Sequence, residues 1–440
     1  MNNNHSPQNR LKIGYIMQAD TPDLSIVSAT QLHVTAVIRG LRKRGHQVSM
    51  VAVQHEKNQW TEDLLNWHHT EFGLSDSTPF HLIESIIRGV QSRLRLPFWR
   101  LFDSYRFSDA CVSSFAGYDI LYERESTISY GGIIAARRLG IPIVLEVNGD
   151  LVEEWQQLGL EMSKMQWAIV HLITRQIYKQ ASHIVTVGET IKQRLIHRWS
   201  LDPSHVSVVT NGAEIDLFQD MDTSSNIRSR YSIGDGPVIM FMGGFKPWHG
   251  VDLILQGFSH IARIVPEAII VFVGDGPLRS ELQQQSDSLG LNERVIFTGR
   301  VDHEDVPQLL NMAEIAVIYH RKSAAEIVET PLKLFEYMAA GKAIVAPAVP
   351  NMERILKDNI SARLVPPDDP EALGRALITL LADDQLRTSL GEAARKEAVE
   401  RHSWDRAVAE LESILFGLLQ QKKGNWSKAE GRHSGSQAHN

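Results

Sequence analysis

Short apolar runs alternate with longer stretches of helical periodicity along most of the chain. In the first half these runs are LKIGYIM (11–17), QVSMVAV (47–53), DILYE (119–123), PIVLEV (142–147), HIVTV (183–187) and VSVVT (206–210). Strands separated by amphipathic helices are the pattern of a parallel sheet, since parallel neighbours need a crossover between them. The clearest crossover is 30–44, which stops at Gly45-His46 just before the second run.

Between 214 and 236 the chain turns polar, which reads as a connection between domains. The alternation then restarts with PVIMFMGG (237–244), AIIVFVGDG (268–276), RVIFTGR (294–300), EIAVIY (314–319) and AIVAP (343–347). The organisation expected is a disordered start over 1–10, an α/β domain over 11–213, a linker over 214–236 and a second α/β domain over 237–400. Ligands of open α/β sheets bind beyond the carboxyl ends of the strands, so a cleft between two such domains is the expected site. Over 401–420 the residues Trp404, Val408, Leu411, Leu415 and Leu418 recur at helical spacing and need a partner surface. A disordered tail is expected over 421–440, where Trp426 is the sole large apolar residue.

At 440 residues the chain is too long for one core, consistent with two domains. A net charge of -7 argues against nucleic-acid binding, so an anionic ligand must be met by local charge and backbone dipoles. Cys111 is the single cysteine, which rules out an internal disulfide and a cysteine metal site. The polar opening MNNNHSPQNR has no signal-peptide core, and no apolar stretch approaches membrane-span length. The expected location is the cytoplasm, with room for peripheral contact at the inner membrane face.

The strongest candidate chemistry lies in ETPLKLFEYMAAGKAIV (329–345). Thr330 is placed to cap a helix, Pro331 suits its first position, and Gly341 ends it before a strand. The amides of Leu332 and Lys333 then point out of the positive helix end toward an anion, and Lys333 adds a full charge. Glu336 lies on the same helical side, where a carboxylate can accept two hydrogen bonds from a vicinal diol such as ribose. Alone, Lys333 and Glu336 read equally as a surface pair. Two further glycine turns join them. In FMGGFKPWHGVDL (241–253), Gly243 and Gly244 let a ligand approach the backbone, and Lys246 or His249 can meet a pyrophosphate. In VGDGPL (273–278), Gly276 opens a second turn, and FTGRV (297–301) follows with Gly299, Arg300 and Val301. Arg300 reads as structural or as phosphate-facing. None of these turns matches the dinucleotide fingerprint or the phosphate loop of ATPases, so NAD and ATP lose support.

In the first half, the polar loop 22–30 leads into a helix carrying Thr30 and His33 near its start. The strand ends YERE (122–125) and EVNGD (146–150) bring Glu123, Arg124, Asn148 and Asp150 to the same edge, as acceptor ligands or as plain surface loop. Between 85 and 106, Arg88, Arg93, Arg95, Arg100 and Arg106 mix with Leu94, Phe98, Trp99, Leu101 and Phe102. Such a mixture suits an anionic membrane surface or a solvated basic helix, and Pro97 interrupts any single long helix.

RGLRKRGHQVSMV (39–51), LYERES (121–126), GIPIVLEVNGDLVEEW (140–155), VVTNGAEIDLF (208–218), GGFKPWHGVDLIL (243–255), VGDGPLR (273–279), FTGRV (297–301) and PLKLFEYMAAGKAIV (331–345) occur in an order that resembles glycosyltransferase family 4. The resemblance spans roughly residues 11 to 420. It implies the GT-B fold, an α/β architecture of two facing Rossmann-like doubly wound domains with a C-terminal helix crossing back to the first. It also implies that a nucleotide-sugar donor lies on the second domain. Glu336 matches the glutamate that holds the donor ribose, and Gly299 to Val301 flank the base. Gly244, Lys246 and His249 occupy the diphosphate loop. Asn148 to Asp150 match the loop facing the reacting sugar and the acceptor.

The chain departs from the family pattern in three places. Eight positions before Glu336 stands Val328, so Glu329 is the candidate for the partner glutamate. The usual arginine and lysine of the diphosphate loop are Gly244 and His249, which leaves the charge to Lys246 and Lys333. The usual glycine pair before the first helix is Ser28-Ala29-Thr30.

The family likeness implies transfer with retention at the anomeric carbon, without a covalent enzyme intermediate. Lys246, His249, Lys333 and helix-end amides would stabilise the departing phosphate, which takes the proton of the attacking acceptor hydroxyl. Domain closure would exclude water. The scheme uses no metal or other cofactor beyond the nucleotide sugar, and a carbohydrate or lipid-linked acceptor suits it. Two alternatives stay open: a nucleotide-sugar epimerase on the same fold, and a non-catalytic sugar-nucleotide binder.

Overall fold

The computed structural model describes residues 10–20, 28–54, 57–70, 75, 77–93, 101–126, 128–157, 159–218, 224–322 and 330–434. The chain divides into two compact units, Met1–Thr210 with Val408–Asn440, and Asn211–Ala407.

Unit 1 holds β1 (Lys12–Asp20), β2 (Gln47–Gln54), β3 (Lys57–Thr61), β4 (His68–His69), β5 (Ile120–Arg124), β6 (Ile143–Val147), β7 (His183–Thr186) and β8 (Val206–Val208). They form one eight-stranded sheet in the order β4-β3-β2-β1-β5-β6-β7-β8. The pairing is parallel from β2 to β8, while β3 and β4 extend the edge in antiparallel fashion. Every residue of β6 (IVLEV) is buried, as expected where helices cover both faces of a parallel sheet. The helix Ala29–Lys43 shows how one face is covered. Ser28 caps it by accepting from the Gln31 amide, and Val34, Val37, Ile38 and Leu41 recur at helical spacing on its buried side.

Unit 2 holds β9 (Val238–Met242), β10 (Ile269–Val273), β11 (Val295–Gly299), β12 (Ile315–Val317), β13 (Ala343–Pro347) and β14 (Arg363–Val365), in the order β11-β10-β9-β12-β13-β14. The whole sheet is parallel. Alternate residues of β9 feed opposite cores: Val238 and Met240 pack with Leu334 and Met338, whereas Ile239 and Phe241 pack with Ile254 and Phe258. Both sheets are doubly wound, as the sequence predicts.

All strands expected from the apolar runs are present. The short strands β3, β4 and β14 carry no signal in the apolar pattern. KNQWT, only partly buried between β2 and the exposed edge strand HH, lacks an apolar run, and HH and RLV are too short to show one. Two expectations are corrected. The segment read as a linker belongs to unit 2, where Ile227 and Ile233 are buried in the core and Arg230 and Tyr231 both bond Asp305. The polar run hides enough spaced apolar residues to dock. The terminal helix begins at Trp404 and runs to Ser434, past the point where disorder was expected.

From Val408 onward this helix belongs to unit 1. A Cβ on Gly40 would sit 2.6 Å from Val408 Cγ2, so glycine permits the close approach of the two helices. Glu412 receives Arg44 Nε at 2.9 Å and pairs with His46 Nε2 at 2.8 Å. The Leu11 amide donates to His46 Nδ1, so the imidazole proton sits on Nε2 and points at Glu412. Among the described residues, no helix is long and apolar enough to cross a membrane.

Candidate functional site

In unit 2, β9 and β12 are neighbours although β10 and β11 come between them in sequence. The chain leaves β9 on one side and returns on the other, which opens a crevice at their carboxyl ends. Three segments converge there: the turn Gly243-Gly244 after β9, Tyr319-His320 after β12, and the start of the helix Leu332–Ala339. The Met242 amide donates to Tyr337 Oη at 2.8 Å and ties that helix to the end of β9.

Lys333 is buried, with its Nζ 4.2 Å from the centre of the Phe241 ring. Nζ has no hydrogen-bond partner among the described residues. Burial pushes its pKa down to about 7, only partly opposed by Glu336. Gly243 has φ 137, and a Cβ there would sit 2.8 Å from Lys333 Nζ. Glycine therefore serves both the turn and the lysine. A Cβ on Gly276 would meet the Phe245 amide at 2.6 Å, so the second glycine turn packs directly on the first.

His249 Nδ1 lies 2.5 Å from the Gly244 carbonyl, which can only accept, so Nδ1 carries the proton. Burial and then Lys333 push this imidazole down to about 4. Its ring is 5.3 Å from His320, which is fully buried with neither nitrogen hydrogen-bonded among the described residues. Sequence reasoning missed His320. The rule that singled out the other strand ends applies to it equally, since it directly follows EIAVIY.

Lys246 is exposed, with its ammonium 5.7 Å from the centre of the Trp248 ring. The Leu332 and Lys333 amides occupy the first helical positions, which have no acceptor within the helix. Thr330 does not cap that helix: Pro331 is itself the N-cap residue, and the Thr330 hydroxyl turns to the Asn351 carbonyl at 3.5 Å. Glu336 is half-buried and pairs with His303 Nε2 at 3.2 Å. Gly299 closes β11 with φ 74 and accepts from the Gly274 amide, Arg300 is exposed, and Val301 packs against the core. Glu329 lies outside the described residues.

Unit 1 has the same kind of switch point, between β1 and β5. Beside it, near the end of β6, stands the buried Glu146, a strand residue that its apolar run hides in the sequence. Glu146 Oε1 pairs with His33 Nε2 at 2.9 Å, Arg124 Nη1 at 2.7 Å and Asn148 Nδ2 at 2.6 Å. Tyr122 Oη donates to Oε2 at 2.7 Å. Burial pushes this carboxyl up, but the His33 imidazole, the Arg124 guanidinium and the Asn148 amide together hold it well below the usual range. Candidates from helix, strand and loop thus meet on one carboxylate.

Three other unit 1 candidates are placed differently. Asp150 caps the helix Leu151–Gln157 through the Val152 and Glu153 amides and accepts from Trp199 Nε1 at 3.0 Å, so its carboxylate is committed to structure. Glu123 faces the core beside Gly132, and burial with Glu125 nearby pushes it up to about 8. Thr30 sits half-buried in the first turn of Ala29–Lys43, and residues 21–27 of the preceding loop lie outside the described set.

The basic stretch also differs from its appearance in sequence. Arg88 and Arg106 both bind Glu84, and Arg88 also reaches Asp103, so these cations are neutralised between the helices Thr78–Arg93 and Leu101–Ser114. What faces solvent is an apolar stripe of Leu82, Ile83, Ile86 and Val90. Residues 94–100, with Arg95 and Arg100, lie outside the described set. Among the described residues, no group of three His, Cys, Asp or Glu side chains is placed to hold a metal ion.

Two family descriptions match the chain: Glycosyltransferase Family 4 over residues 30–217 and Glycosyl transferases group 1 over residues 223–397. The alpha-D-kanosaminyltransferase of Streptomyces kanamyceticus is 24% identical, over 64% of this chain and 72% of that one. A GDP-mannose-dependent alpha-(1-6)-phosphatidylinositol monomannoside mannosyltransferase of Mycolicibacterium smegmatis is 28% identical, over 48% of this chain and 56% of that one. Among solved structures, Anabaena HepE in complex with UDP superposes with a TM-score of 0.64 at 17% identity, covering 92% of this chain and all of that one (100%). With one family description over most of the first unit and the other over most of the second, the chain belongs to the family 4, group 1 glycosyltransferases and has their GT-B fold.

Proposed function

We propose that the protein transfers a hexosyl group, with retention of configuration, from a nucleotide-diphosphate sugar to an acceptor hydroxyl in polysaccharide, glycolipid or other glycoconjugate synthesis. The observation that carries this reading is the buried Lys333 ammonium with no hydrogen-bond partner among the described residues, set at the end of β9 beside a helix N-terminus. A buried cation without a counter-ion is costly to the fold, and an anionic ligand removes that cost. The leaving diphosphate is such a ligand. HepE has been solved with UDP and with UDP-glucose, and the Mycolicibacterium relative is GDP-mannose-dependent, which supports a donor of this class.

In this scheme Lys333, Lys246 and the amides of Leu332 and Lys333 stabilise the charge that develops as the sugar–phosphate bond breaks, and His249, whose Nδ1 proton is held by the Gly244 carbonyl, joins them by taking a second proton on Nε2 beside the anion. Gly243, Gly244 and Gly276 let the ligand approach the backbone, Glu336 holds the ribose, and Gly299 to Val301 border the base. The departing phosphate oxygen takes the acceptor proton on the same face, and charge neutralisation is given to these groups rather than to a metal or other cofactor. Asn148, Arg124 and His33, gathered on Glu146, bind the acceptor side. The exposed stripe Leu82, Ile83, Ile86 and Val90 supports peripheral contact with a membrane that carries a lipid-linked acceptor.

The test is incubation with a panel of UDP- and GDP-sugars, with and without candidate carbohydrate and lipid-linked acceptors, read by NMR of the products. The expected product is an acceptor glycoside with the anomeric configuration of the donor. An inverted product would refute retention. Free nucleotide and an isomerised sugar without acceptor would favour an epimerase, and donor binding with no turnover on any acceptor would favour a binder.

A further inference from the structure

His320 has no role in the scheme above, yet it is the most enclosed polar group at the site. It stands three residues beyond the end of β12, the strand beside β9. Its ring is fully buried, 5.3 Å from that of His249, and both nitrogens are without a hydrogen-bond partner among the described residues. A neutral imidazole always presents one N–H and one lone pair, so two unmet nitrogens in the interior are costly. The charged or titratable groups acting on this ring are Lys333 and His249. Glu336 acts on Lys333, and Lys246 acts on His249, each one step removed. Burial, Lys333 and His249 all disfavour the imidazolium, so the ring is neutral in the bare fold. An anion placed between these groups reverses that balance.

We propose that His320 is a third ligand of the leaving diphosphate, beside Lys333 and His249, and that it takes up a proton from solvent when a nucleoside diphosphate binds. This rests on the reading of the crevice as the donor site. The proton adds positive charge where the phosphate develops negative charge, and its cost is met by binding. A histidine that only fills the core would be indifferent to the ligand.

The experiment is calorimetric titration of the full chain with UDP and GDP at pH 7.5, in two buffers of different ionisation enthalpy, for wild type and for His320→Asn and His320→Gln. The phosphate titration of the ligand is common to all three proteins and cancels in the comparison. Wild type is expected to take up more protons than either variant and to bind about ten-fold more tightly, as for loss of one charge-assisted hydrogen bond. Nitrogen-15 histidine spectra of wild type give a readout independent of any variant's folding: the His320 signals should move to the imidazolium pattern on saturation. Binding with unchanged affinity and proton uptake in the variants, or a His320 that stays neutral in saturated wild type, would overturn the inference and leave the donor site standing. Failure of wild type to bind either nucleotide would instead remove the functional reading beneath it.

Discussion

The ammonium of Lys333 rests 4.2 Å from the centre of the Phe241 ring, at the end of the strand whose next turn is Gly243-Gly244. A cation over an aromatic face gains about 2 kcal/mol when desolvated, less than an ion pair in the same place would supply. The arrangement holds the charge in position without neutralising it. Phe241 is itself fixed by contact with Phe245 and Phe272, so the platform does not have to form when a ligand arrives.

This arrangement predicts opposed effects of Lys333→Met on stability and on binding. Lys333 is protonated up to about 7 when folded, against an ordinary 10.5 when unfolded. Between those values the unfolded chain holds more protons, so this group makes stability rise with pH, and its full penalty is present below about 7. Lys333→Met should therefore stabilise the ligand-free protein at pH 7 by on the order of a few kcal/mol, an advantage that shrinks as pH rises toward the unfolded value. Urea unfolding of both proteins from pH 7 to 10 checks it. A variant less stable than wild type at pH 7 would contradict the account.

Gly243→Ala places a methyl group against Lys333 Nζ at a φ of 137 that side chains disfavour. It should cost about 1–3 kcal/mol of stability and displace the ammonium. Donor affinity should fall with it, measured by titration with UDP or GDP. A substitution that leaves affinity unchanged would separate the turn from the lysine.

Glu146→Ala removes the anion that pairs with Arg124 and His33. Stranding Arg124 should destabilise the fold by about 3 kcal/mol or more. Asn148→Ala removes a single amide and should leave stability within about 1 kcal/mol while raising the acceptor KM. Urea unfolding and acceptor-dependent kinetics separate the two. A rise in donor KM alone would place Asn148 elsewhere in the reaction.

Neutralisation of Arg88 and Arg106 by Glu84 and Asp103 bears on membrane contact. Association through the Leu82–Ile86 stripe should persist at high salt, because apolar burial is not screened. Co-sedimentation with phosphatidylglycerol vesicles at 0.1 and 0.5 M salt, for wild type and for Leu82→Glu with Ile86→Glu, tests this. Binding that collapses with salt and ignores the double variant would assign it to the basic residues instead.

How much of this was legible in the sequence depends on how each residue announces itself. The strands of both sheets stand out because β6 and β10 are buried on both faces and so read as unbroken apolar runs. Lys333 could be found because a proline start and a glycine end mark its helix. Glu146 could not, since it sits inside such a run and its partners come from 33 and 124 as well as the adjacent loop. The cap that Asp150 makes on Val152 and Glu153 is a local signal that the sequence does carry, whereas its bond to Trp199, 49 residues away, is a tertiary fact that no local pattern shows. The polar segment before β9 looked like a linker because Ile227 and Ile233 are too sparse to show a period, although both are buried.

The most direct test of the donor site is calorimetric titration of wild type and Lys333→Met with UDP and GDP at pH 7. Wild type should bind at least one of them, and the variant should bind it more weakly by about ten-fold or more, the loss expected for one charge-assisted contact to phosphate. Equal affinity in the two proteins would contradict an anion pocket built on Lys333.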